Sequence, residues 1–302
     1  MEFVFKKPTM DDVEVFRNIL KNNRYPGCEF SISNIMLWAE FYHMEYAICE
    51  QVLISKHVTE DGKVRLSYPI GAENEMTERR IFDMELEYFE GLGQTPWFGL
   101  IEPVMYENIE NWYPGRFEIT YERDWADYIY NREKLTNLSG KKLHGKRNHI
   151  KRFQEQHPEW TYETLSEENV EACVAMAKNW CRANCCKEDD EKQEEFHLVV
   201  RALRNFRQLH MRGGLLRTKE GVVAFTLGSP ISADTFDVSF EKAYADIQGA
   251  YPMINQQFVL HELQDYVYVN REEDLGVEGL RKAKLSYYPE LLLEKGTCKE
   301  IE

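Results

Sequence analysis

Phe236-Asp237-Val238-Ser239-Phe240-Glu241 alternates apolar and polar residues without a break, and this stretch together with the residues after it decides the fold. A period of two puts the apolar side chains on one face and Asp237, Ser239 and Glu241 on the other, so the stretch reads as a half-buried strand running to about Tyr244. Gln248-Gly249-Ala250-Tyr251-Pro252 then breaks the pattern. Ile254, Phe258, Val259, His261, Leu263 and Tyr266 predict a helix beginning near Pro252, where a first-turn proline has no hydrogen bond to lose. A strand that feeds a glycine turn and a helix start leaves backbone N–H groups free to hold a phosphate. Tyr266-Val267-Tyr268-Val269-Asn270 reads as a short strand and Arg271-Glu272-Glu273-Asp274 as a charged turn. Leu280 to Tyr288 has helical spacing and is stopped by Pro289, and Leu291-Leu292-Leu293 closes as a strand.

The order strand, turn, helix, strand, helix, strand resembles the cofactor half of a GNAT-type acyltransferase domain. Gly279-Leu280-Arg281-Lys282-Ala283-Lys284-Leu285-Ser286-Tyr287-Tyr288-Pro289 is similar to the basic-aromatic-proline segment of the phosphatidylglycerol lysyltransferase C-terminal domain family. The resemblance implies a mixed α/β fold and an acyltransferase acting on an amine or hydroxyl acceptor. The donor it implies is acyl-CoA or, by the family, an aminoacyl-tRNA. A catalytically silent GNAT-like module that binds a small anionic metabolite or a protein partner is the alternative.

The first half repeats the same order. Phe3-Val4-Phe5 reads as a strand, and Thr9 with Asp12 forms a capping box before a helix whose buried stripe is Val13, Phe16, Ile19 and Leu20. A second helix around Ile32 to Ala39 comes next, then strands at 46–49, 52–54 and 64–68 and a helix ended by Gly91 and Gly93. A strand at 97–101, a short helix to Trp112 and a strand at 117–121 complete the set. The second half opens with a strand at 160–163, two helices over 166–186 and 190–209, and strands at 215–218 and 222–227. This match implies two tandem GNAT-like domains, each a mixed, mostly antiparallel sheet flanked by helices. Their bounds are 1–125 and 158–302, with 126–157 as a basic helical connector and the second domain holding the donor.

The chain has 302 residues, 43% of them hydrophobic, which is enough for two ordinary cores. No apolar run approaches the roughly 20 residues that cross a bilayer, and seven cysteines, an odd number, fit reduced thiols, so a cytoplasmic protein is expected. The net charge of −15 is unevenly spread: residues 1–130 carry −12 and 161–302 carry −8, whereas 131–160 carry +5. Such a surface repels DNA, and a tRNA acceptor end would dock only locally, because affinity for polyanions comes from many phosphate contacts.

Acyl transfer needs a base for the acceptor, a donor for the developing oxyanion and an acid for the leaving group. Glu241, near the end of its strand, is the candidate base. Tyr287 or Tyr288 stands where the resemblance places the tyrosine that protonates the leaving group, and Tyr287 is taken for that role. Gln248, Gly249 and Ala250 are the candidate phosphate turn, although the turn departs from the GNAT signature R/Q-x-x-G-x-G/A. Asn255 and Asn270 are candidates to hold the donor's amide, or else a cap and a turn. Arg281 and Lys284 share a helical face suited to a phosphate or carboxylate, or pair with nearby acids such as Glu272, Glu273 or Glu278. In 138–153 there are six Lys or Arg and no acid. Lys142, Lys146, Arg147 and His149 are there a candidate anion site, or part of a solvated helix that neutralises its acidic neighbours. Cys181, Cys185, Cys186 and His197 lack the paired spacing of a zinc set and read as small buried side chains, with no metal site.

Overall fold

The computed structural model describes residues 3–184 and 190–301. Helices α1 (Val13–Leu20) and α2 (Ile32–Trp38) come first, and the expected capping box is present, Asp12 taking both the N–H and the hydroxyl of Thr9. The strand expected at 3–5 does not form; a single bridge, Lys6 to Tyr46, marks its place. Strands β1 (Glu45–Cys49), β2 (Val52–Val58) and β3 (Val64–Leu66) precede α3 (Glu75–Leu92), β4 (Trp97–Ile101), α4 (Pro103–Trp112) and β5 (Phe117–Tyr121). The segment expected to be a helical connector opens as a strand, β6 (Asp127–Asn131), before α5 (Arg132–Asn137) and α6 (His144–Gln156).

The second half runs β7 (Thr161–Thr164), α7 (Val170–Ala183), α8 (Asp190–Arg204), β8 (Arg212–Thr218), β9 (Gly221–Pro230) and β10 (Thr235–Ala243). Then come α9 (Ala250–Glu262), β11 (Tyr268–Asn270), α10 (Glu278–Leu285), β12 (Leu291–Leu293) and β13 (Gly296–Glu300), the last strand having been missed in the sequence. Two mixed sheets result, with orders β1-β2-β3-β4-β13-β5 and β12-β6-β11-β10-β9-β8-β7. The expected pair of mixed sheets flanked by helices is therefore present, but strands cross the expected boundaries in both directions. β13, at the end of the chain, lies between β4 and β5 of the first sheet, and β6 lies between β11 and β12 of the second. The two halves are sewn together by this exchange. One hydrophobic core fills the first half and continues under α7 and α8, and a second lies between the second sheet and α5, α6 and α9.

β10 is antiparallel to β9 but parallel to β11, and the register with β9 shifts between Asp237 and Phe240. Gly228 faces this bulge so closely that a Cβ on it would stand 1.8 Å from the Asp237 carbonyl oxygen. The bulge corrects the alternation read from the sequence. Phe236 and Val238 face α9, and Asp237 and Ser239 face the first half; beyond the bulge Phe240 joins the core under α7, and Glu241 turns toward α9. Asp237 and Glu241 thus sit on opposite faces of one strand.

Candidate active site

β10 and β11 pair over three rungs only, the last being Asp237 with Asn270, although β10 continues to Ala243. The sheet parts there, because after Asn270 the chain turns away. Glu272 takes φ 58°, a left-handed conformation that L residues seldom hold, and its N–H is fixed by Asn270 Oδ1 at 2.7 Å.

On the α9 side of the parting Arg271 Nη2 donates to Glu241 Oε1 at 2.9 Å, and Asn255 Nδ2 donates to Glu241 Oε2 at 3.1 Å. The guanidinium lies 5.0 Å from the centre of the Tyr287 ring and 5.8 Å from that of Tyr130. Lys146 Nζ, arriving from α6, stands 3.9 Å from the Tyr287 ring centre. Burial works against the Arg271 charge, but Glu241 together with the Tyr130 and Tyr287 phenols outweighs it, so the guanidinium is held charged. Burial also pushes the Tyr287 phenol up, which keeps it protonated at neutral pH. Two buried polar atoms here have no hydrogen-bond partner among the described residues, Arg271 Nη1 and Asn255 Oδ1, while the Tyr287 phenol also acts on the Arg271 guanidinium. A native fold seldom leaves such atoms unpaired, and a ligand is one explanation.

The opposite side of the parting faces the first half. Asp237 Oδ2 accepts from Ser31 Oγ at 3.1 Å and from Ser239 Oγ at 2.7 Å, and Asn34 Nδ2 reaches Glu272 Oε1 at 3.0 Å. Deeper in, Asp127 takes Lys295 Nζ at 2.9 Å, Asn270 Nδ2 at 2.8 Å and the Cys28 N–H at 2.9 Å, while Lys295 also bonds Glu29. Asp237 Oδ1, Asn34 Oδ1, Glu29 Oε2 and Glu102 Oε2 have no partner among the described residues. Burial drives the carboxyls of Asp237, Glu102 and Glu272 far above their usual range and that of Glu29 to about 7. Asp127 is held below it because, against its burial, the Lys295 charge and the hydrogen bonds from Asn270, Lys295 and the Cys28 N–H together prevail. The junction therefore gathers several buried carboxyls of raised proton affinity around two buried lysines, Lys284 and Lys295.

The residues expected from the sequence fall into three groups. Glu241, Asn255, Tyr287 and Lys146 come together at the parting, but Glu241 is engaged at both oxygens. Asn270 belongs to the other face, donating to the Pro26 carbonyl and to Asp127. The rest are structural in this geometry. Arg281 is tied to Asp274 at 2.7 and 2.9 Å and to Asp124 at 2.5 Å, so it pairs with acids other than those expected. Lys284 donates to the Glu272 and Glu273 carbonyls, and Arg147 to those of Leu138 and Gly140. Lys142 lies over Tyr288, whose ring centre is 5.0 Å away. Gln248 is exposed, Ala250 is buried at the start of α9, and Gly249, with φ 87°, meets α6: a Cβ on it would come within 2.1 Å of the His149 carbonyl oxygen. The side of Gly249 on which a Cβ would stand is thus packed against the backbone of α6. Cys185 and Cys186 lie outside the described residues, and Cys181 is half-buried at the end of α7. Sequence reading missed Arg271, Asn34, Asp127 and Lys295. Only Asp127 and Lys295 carried any hint, as charges beside apolar strand residues.

A profile of the family "Phosphatidylglycerol lysyltransferase, C-terminal" matches residues 22–299. A conserved protein of unknown function from Bacteroides thetaiotaomicron is 34% identical, with 99% of this chain and 100% of that chain covered and a TM-score of 0.91. The structure of L-PGS from Bacillus licheniformis has the same fold at 15% identity and TM-score 0.67, covering 99% of this chain and 94% of that one. An uncharacterized protein of Mycoplasmoides gallisepticum is 24% identical over 190 residues, 61% of this chain, and the match spans only 59% of that relative's length. No helix among the described residues is long and apolar enough to cross a membrane.

Proposed function

Because the chain belongs to the phosphatidylglycerol lysyltransferase C-terminal family, we propose that it is an aminoacyltransferase, moving an amine-bearing acyl group from an aminoacyl-tRNA to an amine or hydroxyl acceptor. The observation that carries this reading is the chemistry on the two faces of the parting. Asn270, Arg271 and Glu272 are consecutive, yet Arg271 presents an unpaired N–H on one face while Glu272, Asp237 and Asn34 present acceptors on the other. An acyl group lying through the parting would meet a guanidinium donor at its carbonyl and carboxyls at its amine. Arg271 then stabilises the oxyanion as the carbonyl is attacked. Glu241 orients Arg271, and Tyr287 protonates the leaving oxygen. An uncharged acetyl group would use only the first of these features.

The test is thermal unfolding of the full chain with three probes: an adenosine carrying a 3′-lysylamide, its fully acetylated counterpart, and acetyl-CoA. A probe at about 100 times its Kd adds about 2.7 kcal/mol. The lysyl probe alone is expected to stabilise, and Asp237→Asn to weaken it. Stabilisation by acetyl-CoA without any by the lysyl probe overturns the reading. The silent-module reading has one observation in its favour, that both Glu241 oxygens are already engaged. It predicts binding of the lysyl probe with no transfer from the corresponding aminoacyl-tRNA.

A further inference from the structure

Helix α6 is held against the start of α9 by backbone contact at Gly249, and Ile150 and Phe153 anchor it in the second core. One turn before His149, on the same helix, Lys146 is carried over the mouth of the parting. Its ammonium has no ion-pair or hydrogen-bond partner among the described residues. The groups that face it from the packed elements are Glu241 of β10, Arg271 after β11 and Tyr287 after α10. Glu241 is occupied by Arg271 and Asn255, and Arg271 carries a charge of the same sign. What the lysine has is the face of a phenol. The ring face and Glu241 favour the ammonium, but burial and the like charge of Arg271 favour the neutral amine more. Burial first, and Arg271 second, bring it down to about 8, with Glu241 acting the other way.

We propose that Lys146 is the general base of the reaction, taking the proton from the acceptor as the acceptor attacks the donor ester. The proposal rests on the transferase reading above. The acceptor's oxygen or nitrogen bonds to the carbonyl carbon, its proton passes to Lys146 Nζ, and the oxyanion is met by Arg271 Nη1. The intermediate collapses with cleavage of the bond to the ribose oxygen, which takes the Tyr287 proton, and the Lys146 ammonium restores the phenol. Protons balance over the cycle and no further reactant is needed. A lysine lowered to near neutrality by burial and a like charge is a known way to make such a base.

Two measurements test this. The first is trace labelling of the full chain with acetic anhydride from pH 6 to pH 11, read by peptide mass spectrometry. Lys146 is expected to titrate near pH 8. Titration of Lys146 at the ordinary lysine value of about 10.4 overturns the proposal whatever the transfer assay gives. The second compares Lys146→Met and Lys146→Arg in transfer from lysyl-tRNA. Both are expected to lose about 100-fold or more in kcat at little change in KM, since arginine keeps the charge but cannot act as a base near neutral pH. Wild-type activity in Lys146→Arg overturns the proposal. A wild-type chain that transfers nothing, while Lys146 still titrates near pH 8, overturns the transferase reading and with it the base.

Discussion

Replacing Lys295 by methionine removes the one cation among the described residues that touches both Asp127 and Glu29. The side chain is 1% exposed and Asp127 is 0% exposed, so water cannot take its place. At 2.9 Å and an effective dielectric of about 20, the attraction to Asp127 alone is on the order of 5 kcal/mol. Hydrogen bonds from Cys28 N and Asn270 Nδ2 remain on Asp127 and soften the loss. Breaking a buried pair by deleting one partner ordinarily costs about 3–5 kcal/mol, and that range is expected here. For a chain of this size it is a fall in Tm on the order of 10 °C. Urea unfolding followed by circular dichroism reads it directly. The double variant Asp127→Asn with Lys295→Met removes the stranded charge and is expected to recover at least about 1–2 kcal/mol of the loss. A Lys295→Met loss below about 1 kcal/mol, or a double variant no better than the single one, would mean that no charge is left alone in the junction.

The junction also predicts a pH dependence. Glu29 holds its proton up to about 7 in the folded chain against 4.5 ordinarily, so the folded state binds more protons in that window. Its contribution is full below about 4.5, and stability falls as pH rises to 7, by about 3 kcal/mol from this group. Glu29→Gln is expected to flatten that slope in urea unfolding at pH 4.5 and pH 7; an unchanged slope sinks the assignment. At Gly249, alanine meets both a φ of 87° and the His149 carbonyl 2.1 Å from its Cβ, so Gly249→Ala should cost at least about 2 kcal/mol. Gly91, inside α3 with open space around it, should gain about 0.5–1 kcal/mol as alanine. Equal effects of the two alanines on the denaturation midpoint would contradict this.

Period and punctuation made the repeat of helices and strands legible, because each element buries an apolar face within its own half. The partners of β6 and β13 were not legible: a short strand bordered on both sides looks the same whichever sheet receives it. The polar face of β10 shows the same limit. Alternation placed Asp237, Ser239 and Glu241 together, and a one-residue bulge, which leaves no mark on a hydropathy pattern, sent Glu241 to the other side. Of the candidate residues, Glu241, Asn255, Tyr287 and Lys146 were named from local pattern or resemblance and do meet. Arg271 was passed over as part of a charged turn, since nothing local reveals that a turn is buried.

The position of β13 bears on how the chain is made. The first sheet cannot join β4 to β5 until Gly296–Glu300 has been synthesised. During translation the amino-terminal half therefore waits with an open seam, its apolar interior incompletely covered, until Gly296–Glu300 has left the ribosome. Closure of the first sheet then follows synthesis of the second, and loss of Gly296–Glu300 would be felt in the half of the molecule made first.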